Sequence, residues 1–205
     1  MLKILNIAIS LLSSLYRNWA NFLTVLGNIK IFSTPCFLIY DPNEFDYKIR
    51  GEAIREIEKQ LKPGDIILRK YDHYLDGYLI PGKYSHASIY IGNSKLIHAV
   101  AEGVKEIDLI DFCQCDNICI LRPLEDPTYA ITNAILYKGK PYDFYFNAKD
   151  SKEFYCHELV AKCYNKIRFK RYYPKFLGIK LKFLAKRYLA DSFLENKHFN
   201  KIIEL

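Results

Sequence analysis

Apolar and polar residues alternate with a period of two through "HASIYIG" (86–92) and again through "KLIHAVA" (95–101), with Gly92, Asn93 and Ser94 between them. Two strands joined by a tight turn are predicted, a hairpin by length and by turn chemistry. Ahead of it "DIILRK" predicts a short buried strand, and behind it "GVKEIDL" and "NICILRP" predict two more. Elsewhere the apolar spacing lengthens to that of a helix. "YKIRGEAIREIEKQLKPGD" puts Ile54, Ile57 and Leu61 on one side and stops at Pro63 and Gly64. "TYAITNAILYKG" and "KEFYCHELVAKCY" predict helices flanking "KPYDFYFN". A helix, a run of antiparallel strands and then helices make an α+β pattern.

The first 32 residues are patterned differently. Their apolar opening runs about a dozen residues, short of the roughly 20 needed to span a bilayer. Ile4, Leu5, Ala8, Leu11, Leu12 and Leu15 fall near one helical face, which predicts an interfacial or core-packing helix ending by Pro35. A cleaved signal peptide is the alternative reading of residues 1–32, although no clear small-x-small site follows. The chain then divides into an amphipathic helix and linker (1–48), a main domain (49–167) and a basic, aromatic, helical extension packed on it (168–205).

Charge changes the picture in one place. The net charge is +7, yet ten basic residues and no acidic one lie between Leu159 and Ala190, interleaved with aromatics as in "RFKRYYPKF". Such a segment suits an anionic membrane surface, and nucleic-acid phosphates are the competing ligand. A solvated basic face with tyrosines packed behind it explains the same pattern, and nucleic acid is not expected as a partner. Six cysteines, three of them crowded at Cys113, Cys115 and Cys119, lack the spacing of a disulfide scaffold. Reduced thiols and a cytoplasmic, peripherally membrane-associated protein are expected, or a secreted one if residues 1–32 are a signal peptide. The cysteine cluster also lacks the paired C-x-x-C spacing of a structural zinc site, so no metal or other cofactor is expected. His73 and His198 have no partner pattern, and Asp72 and Asp76 around His73 read as a solvated loop.

The candidate chemistry lies in the hairpin and in the last predicted helix. His86, Ser88 and Tyr90 share one strand face. With Ser88 opposite His98, His98 becomes the diagonal neighbour of His86, close enough for one imidazole to fix the tautomer of the other. Cys156 falls in the first turn or two of its helix, with Asp150 or Ser151 as the expected cap and Glu153 completing a capping box. The helix field and a nearby imidazolium would favour its thiolate. Backbone N–H groups at that helix start can hold an oxyanion. A cysteine in a helix also serves as a small buried apolar residue, so these residues alone leave both readings open.

Taken in order, "GDIIL", "SHASIYIGN…LIHA", "GKPYDFYF" and "FYCHELV" resemble the YiiX-like group of the circularly permuted papain-fold cysteine hydrolases. That superfamily includes the lecithin-retinol acyltransferase-like enzymes and is related to the NlpC-type peptidases. The resemblance runs from about Leu61 to Tyr164 and implies a permuted papain-like (NlpC-type) fold, an antiparallel sheet packed on helices including the one carrying the cysteine. It implies Cys156 as nucleophile and His86 as base. The third, orienting position falls on His98, as in the acyltransferase branch, with Glu102 in reserve. Tyr142 and Tyr155 are the implied oxyanion or substrate contacts. One residue departs from the pattern: the family commonly has serine after the cysteine, and here it is His157, which could compete as a base.

The expectation is a thiol-dependent hydrolase or acyltransferase acting on an amide or ester, peptide-like or lipid-linked. The alternative is a non-catalytic membrane- or nucleic-acid-binding module that keeps the fold.

Overall fold

The computed structural model describes residues 17–22, 25, 29–33, 36–40, 47–72, 80, 82–148, 150–173, 175–176, 179–180 and 185–205. Its centre is a six-stranded antiparallel sheet in the order β10-β7-β3-β4-β5-β6. The strands are β3 (Ile66–Lys70), β4 (His86–Gly92), β5 (Lys95–Val100), β6 (Gly103–Asp108), β7 (Asn117–Pro123) and β10 (Phe199–Glu204). Helices α1 (Gly51–Gln60) and α2 (Leu109–Cys113) cover one face, and α3 (Thr128–Tyr137), α4 (Cys156–Cys163) and α5 (Asp191–Leu194) cover the other.

Strand alternation explains the three layers. Ile66, Leu68, Ala87, Ile89 and Ile97 pack with Ala130, Ala134, Leu159 and Val160 of α3 and α4. Ile67, Tyr90, Leu96, Ile118 and Ile120 point the other way, onto Ile54 and Ile57 of α1 and Leu109 and Phe112 of α2. The three crowded cysteines are core residues, with Cys113 and Cys115 on the α1 face and Cys119 on the α4 face.

The β4–β5 register is Ser88↔His98, Ile89↔Ile97 and Tyr90↔Leu96, as the pattern predicts. The turn is tighter than expected: Gly92, not Ile91, pairs with Lys95, and Asn93 and Ser94 take φ of 52° and 56°. Ile91 is taken up as an irregularity in β4.

"GDIIL" has a structural reason. Asp65 is fully buried and is held by Arg122 (Nε 3.0 Å, Nη2 2.7 Å) and by the Lys62 N–H at 2.8 Å. Gly64, at φ +93°, donates its N–H to Tyr90 O and accepts from the Tyr164 hydroxyl. A Cβ there would lie 2.2 Å from Pro127 Cβ. Gly64→Ala is therefore expected to cost about 2–4 kcal/mol, combining overpacking with a disfavoured backbone. Thermal unfolding checks this, and an unchanged midpoint would refute it.

Both ends of the chain depart from expectation. Residues 17–22 are helical, but β1 (Ile29–Ser33), where the helix was predicted to run on toward Pro35, and β2 (Cys36–Tyr40), in the predicted linker, form an antiparallel hairpin. Beyond residue 168 the predicted helical extension is mainly extended chain among the described residues. The short pair β8 (Lys175–Phe176) and β9 (Ile179–Lys180) precedes the four-residue α5, and β10 then joins the main sheet beside β7. The alternation of "FNKIIE" suits an edge strand better than a helix. The first 16 residues, Pro35, His73 and Asp76 lie outside the described residues. Asp72 is described, and it pairs with Lys48 at 2.6 Å. His198 pairs with Glu125 at 3.0 Å.

Candidate active site

His86 opens β4, and its Nε2 lies 3.1 Å from Nδ1 of His98 on β5. The rings meet edge to face, with centroids 5.3 Å apart, and both rest against Phe112 of α2. This is the diagonal pair that the register predicts. Glu102, in the turn after β5, is exposed and accepts from Lys105 at 3.1 Å.

Arg69, on β3, is the register partner of His86. It is buried, stacks 4.3 Å over the Phe112 ring and donates to Phe112 O at 2.8 Å. Burial is the main force keeping both imidazoles neutral, and the Arg69 charge adds to it. His86 is held well below its ordinary range and His98 is brought down to about 3. No motif marks Arg69 in the sequence, and an arginine inside the apolar run "IILRK" is its one signal.

Cys156 is the first residue of α4, and Tyr155 is the N-cap without a side-chain capping bond. Asp150 and Ser151 are therefore not the cap that the capping-box pattern suggests. Asp150 instead accepts from the Lys152 N–H in the preceding loop. Cys156 thereby stands nearer the positive end of the helix than the capping-box pattern implies. Its sulfur lies 3.9 Å from Ser85 O and near the Ala87 N–H, against the backbone on either side of His86. Its side-chain partner is His157, with Nδ1 at 3.4 Å. Among the described residues no hydrogen bond joins the sulfur to His86. The two halves of the site thus meet at the first residues of β4.

Burial pushes the Cys156 thiol up to about 11, against the pull of the N–H groups of Ala87, His157 and Cys156 and of Arg69. The expected thiolate–imidazolium pair is thus not the resting state: a neutral thiol lies among neutral imidazoles.

Tyr155 is buried, and its hydroxyl accepts from the Tyr188 N–H at 2.7 Å, tying the C-terminal segment to the start of α4. Tyr142 is half-buried and packs on Phe144 at 4.9 Å. Two buried acids went unnoticed in the sequence. Asp143 accepts backbone N–H groups from Tyr145 and Asn147, and Glu158 has no partner for either carboxyl oxygen among the described residues. Burial and then the Asp143 charge raise Glu158 to about 8.

A family model described as a permuted papain-like amidase enzyme, YaeF/YiiX, C92 family, matches residues 60–202. The chain belongs to this family. As a C92-family member it is a cysteine hydrolase of the amidase kind, and the fold is the permuted papain-like one. The match runs into β10. A solved structure with the same fold is YiiX of Escherichia coli O157:H7, described as a metalloprotein. The two share 18% identity with a TM-score of 0.56, over 71% of this chain and 98% of that one. No curated protein matches this chain.

Proposed function

We propose that this amidase uses Cys156 as its nucleophile, His86 as the group that takes and returns the proton, and His98 as the group that orients His86. The observation that carries the reading is the position of the Cys156 sulfur. It lies at the first turn of α4, against the backbone flanking a histidine that a second histidine already holds. The thiol proton passes to His86 as sulfur bonds to the carbonyl carbon. The carbonyl oxygen becomes an oxyanion facing helix-start N–H groups. When the tetrahedral adduct collapses, the C–N bond breaks and the amine leaves with the proton from His86. Water then attacks the thioester, gives its proton to His86, and releases the acid and the thiol. An amine or alcohol in place of water would make the same site an acyltransferase. In this resting geometry the thiol proton must swing from Ser85 O toward His86 before the first step, while the sulfur keeps its contact with His157. Tyr142, beside the site loop, is the proposed substrate contact.

Lipid-linked substrates gain support from exposed Trp19, Phe22 and Val25, spaced three apart. Trp19 donates to Phe144 O at 3.3 Å, which ties this segment to the loop carrying Tyr142. No helix among the described residues is long and apolar enough to cross a membrane. YiiX is described as a metalloprotein; among the described residues of this chain no three His, Cys, Asp or Glu side chains form a metal-binding group.

The test is activity-based labelling, then a panel of peptide amides and acyl esters offered free and in anionic vesicles. Labelling is expected at Cys156, and Cys156→Ala is expected to lose about 10⁴-fold or more in turnover. Labelling at Cys163 or Cys113 instead, or turnover surviving in Cys156→Ala, would overturn the assignment. Failure of every amide and ester in the panel to turn over would favour the non-catalytic binding module.

A further inference from the structure

The family pattern leaves no role for the residue that holds the sulfur. His157 is buried, with its ring stacked on Phe193 of α5 at a centroid distance of 6.1 Å and an interplanar angle of 21°. Its Nδ1 lies 3.4 Å from the Cys156 sulfur, while its Nε2 is buried with no hydrogen-bond partner among the described residues.

That asymmetry bears on the tautomer. Burial keeps the ring neutral, bringing it down to about 3, so it carries one proton on one nitrogen. A proton on Nε2 would bury an N–H without an acceptor, a rare arrangement that forfeits the full desolvation of the donor. A proton on Nδ1 points at sulfur and leaves at Nε2 only an unpaired acceptor lone pair in the ring plane. The second arrangement is the cheaper one.

We propose that His157 donates a hydrogen bond from Nδ1 to the sulfur of Cys156 and stabilises its thiolate, leaving proton transfer to His86. The inference rests on Cys156 being the nucleophile. In the resting state the thiol proton then points to Ser85 O, 3.9 Å away. Once that proton leaves, the anion meets the His157 donor together with the N–H groups of Ala87, His157 and Cys156. The charged and titratable groups around it are Arg69 from β3, His86 from β4 and Tyr155 at the helix cap. Apart from Arg69 none of these is cationic at rest, so the hydrogen-bond donors carry much of the stabilisation. A serine at this position has a much shorter reach, which makes His157 a feature of this chain and not of the family pattern.

The experiment is the pH dependence of iodoacetamide alkylation at Cys156 in the full chain, run beside steady-state amide turnover. His157→Leu is expected to raise the alkylation midpoint by about one pH unit, a tenfold loss of thiolate at a given pH. His157→Asn, whose side-chain N–H reaches a similar place, is expected to recover most of that shift. His86→Ala is expected to leave the difference between these variants intact. An unmoved midpoint in His157→Leu, or an Asn variant that behaves as Leu does, overturns the donor role. Loss of turnover in His157→Asn with His86→Ala still active would make His157 the base and overturn it as well. Should the Leu variant not fold, histidine ¹⁵N resonances of the wild-type protein read the tautomer directly. A proton on Nδ1 is expected, and a proton on Nε2 refutes the proposal. Alkylation at another cysteine would instead fault the nucleophile assignment, and the tautomer would still be read separately.

Discussion

His86→Ala is expected to lower amide turnover by about 10³-fold, the scale of losing a positioned general base. His98→Ala should cost less, about 10²-fold, because it removes orientation and leaves the proton acceptor in place. Glu102→Gln should leave turnover at the wild-type level, because that carboxylate is exposed and engaged with Lys105. The ranking follows from the bond between His86 Nε2 and His98 Nδ1. For His86 to receive a proton on Nδ1, its Nε2 must already carry one and donate it to His98. Without His98 the imidazole loses both its tautomer preference and its edge-to-face contact with the second ring. Steady-state kinetics of the three variants decide the question. A Glu102 loss exceeding the His98 loss would transfer the orienting role to the carboxylate.

The hairpin was readable because its information is local. Alternation in "HASIYIG" and "KLIHAVA" fixes which residues share a face, and the tighter turn is offset by the irregularity at Ile91, so the register that brings His86 to His98 is the one that the spacing predicts. The helix bearing Cys156 was also readable, but its start was not. Asp150 and Glu153 make a good capping-box pattern, yet Phe154 is buried and its N–H is bound to Pro141 O, so the backbone stays extended until Tyr155. Tertiary packing overrode the local signal. The same holds at the C-terminus, where a basic aromatic stretch suggested a helix and the open edge of β7 took up β10 instead. Arg69, Asp143 and Glu158 are polar residues whose burial depends on distant elements, which no periodicity encodes. The resting protonation state was missed for a similar reason. Helix field and a neighbouring imidazole both favour thiolate, but neither reports how much water the folded site excludes, and here burial outweighs them.

That exclusion of water leads to the second large effect. Stability is expected to peak near pH 6.5 and to fall more steeply on the acid side. His98 and His157 are brought down to about 3, and His86 well below its ordinary value, so all three stay neutral in the folded chain. The unfolded chain protonates them near pH 6.5, so below that it binds more protons than the native state. Stability is lost as pH falls through this range, by about 1.4 kcal/mol per unit for each fully developed group. Glu158 acts with the opposite sign. It is raised to about 8 from an ordinary 4.5, so the unfolded chain releases its proton first and stability declines as pH rises between those values. From 4.5 to 6.5 three histidines oppose one carboxyl and stability rises with pH. Above 6.5 the carboxyl contribution remains and stability declines gently toward about pH 8, from where the buried thiols that burial also raises add to the decline. Thermal midpoints measured from pH 4.5 to 8.5 test both limbs. Glu158→Gln should flatten the alkaline decline, and His157→Asn should soften the acid one. A curve still rising at pH 8 in the wild type would mean that Glu158 is ionised in the folded protein. A maximum below pH 5 would mean that the buried imidazoles are charged there, and the neutral resting site would have to be abandoned.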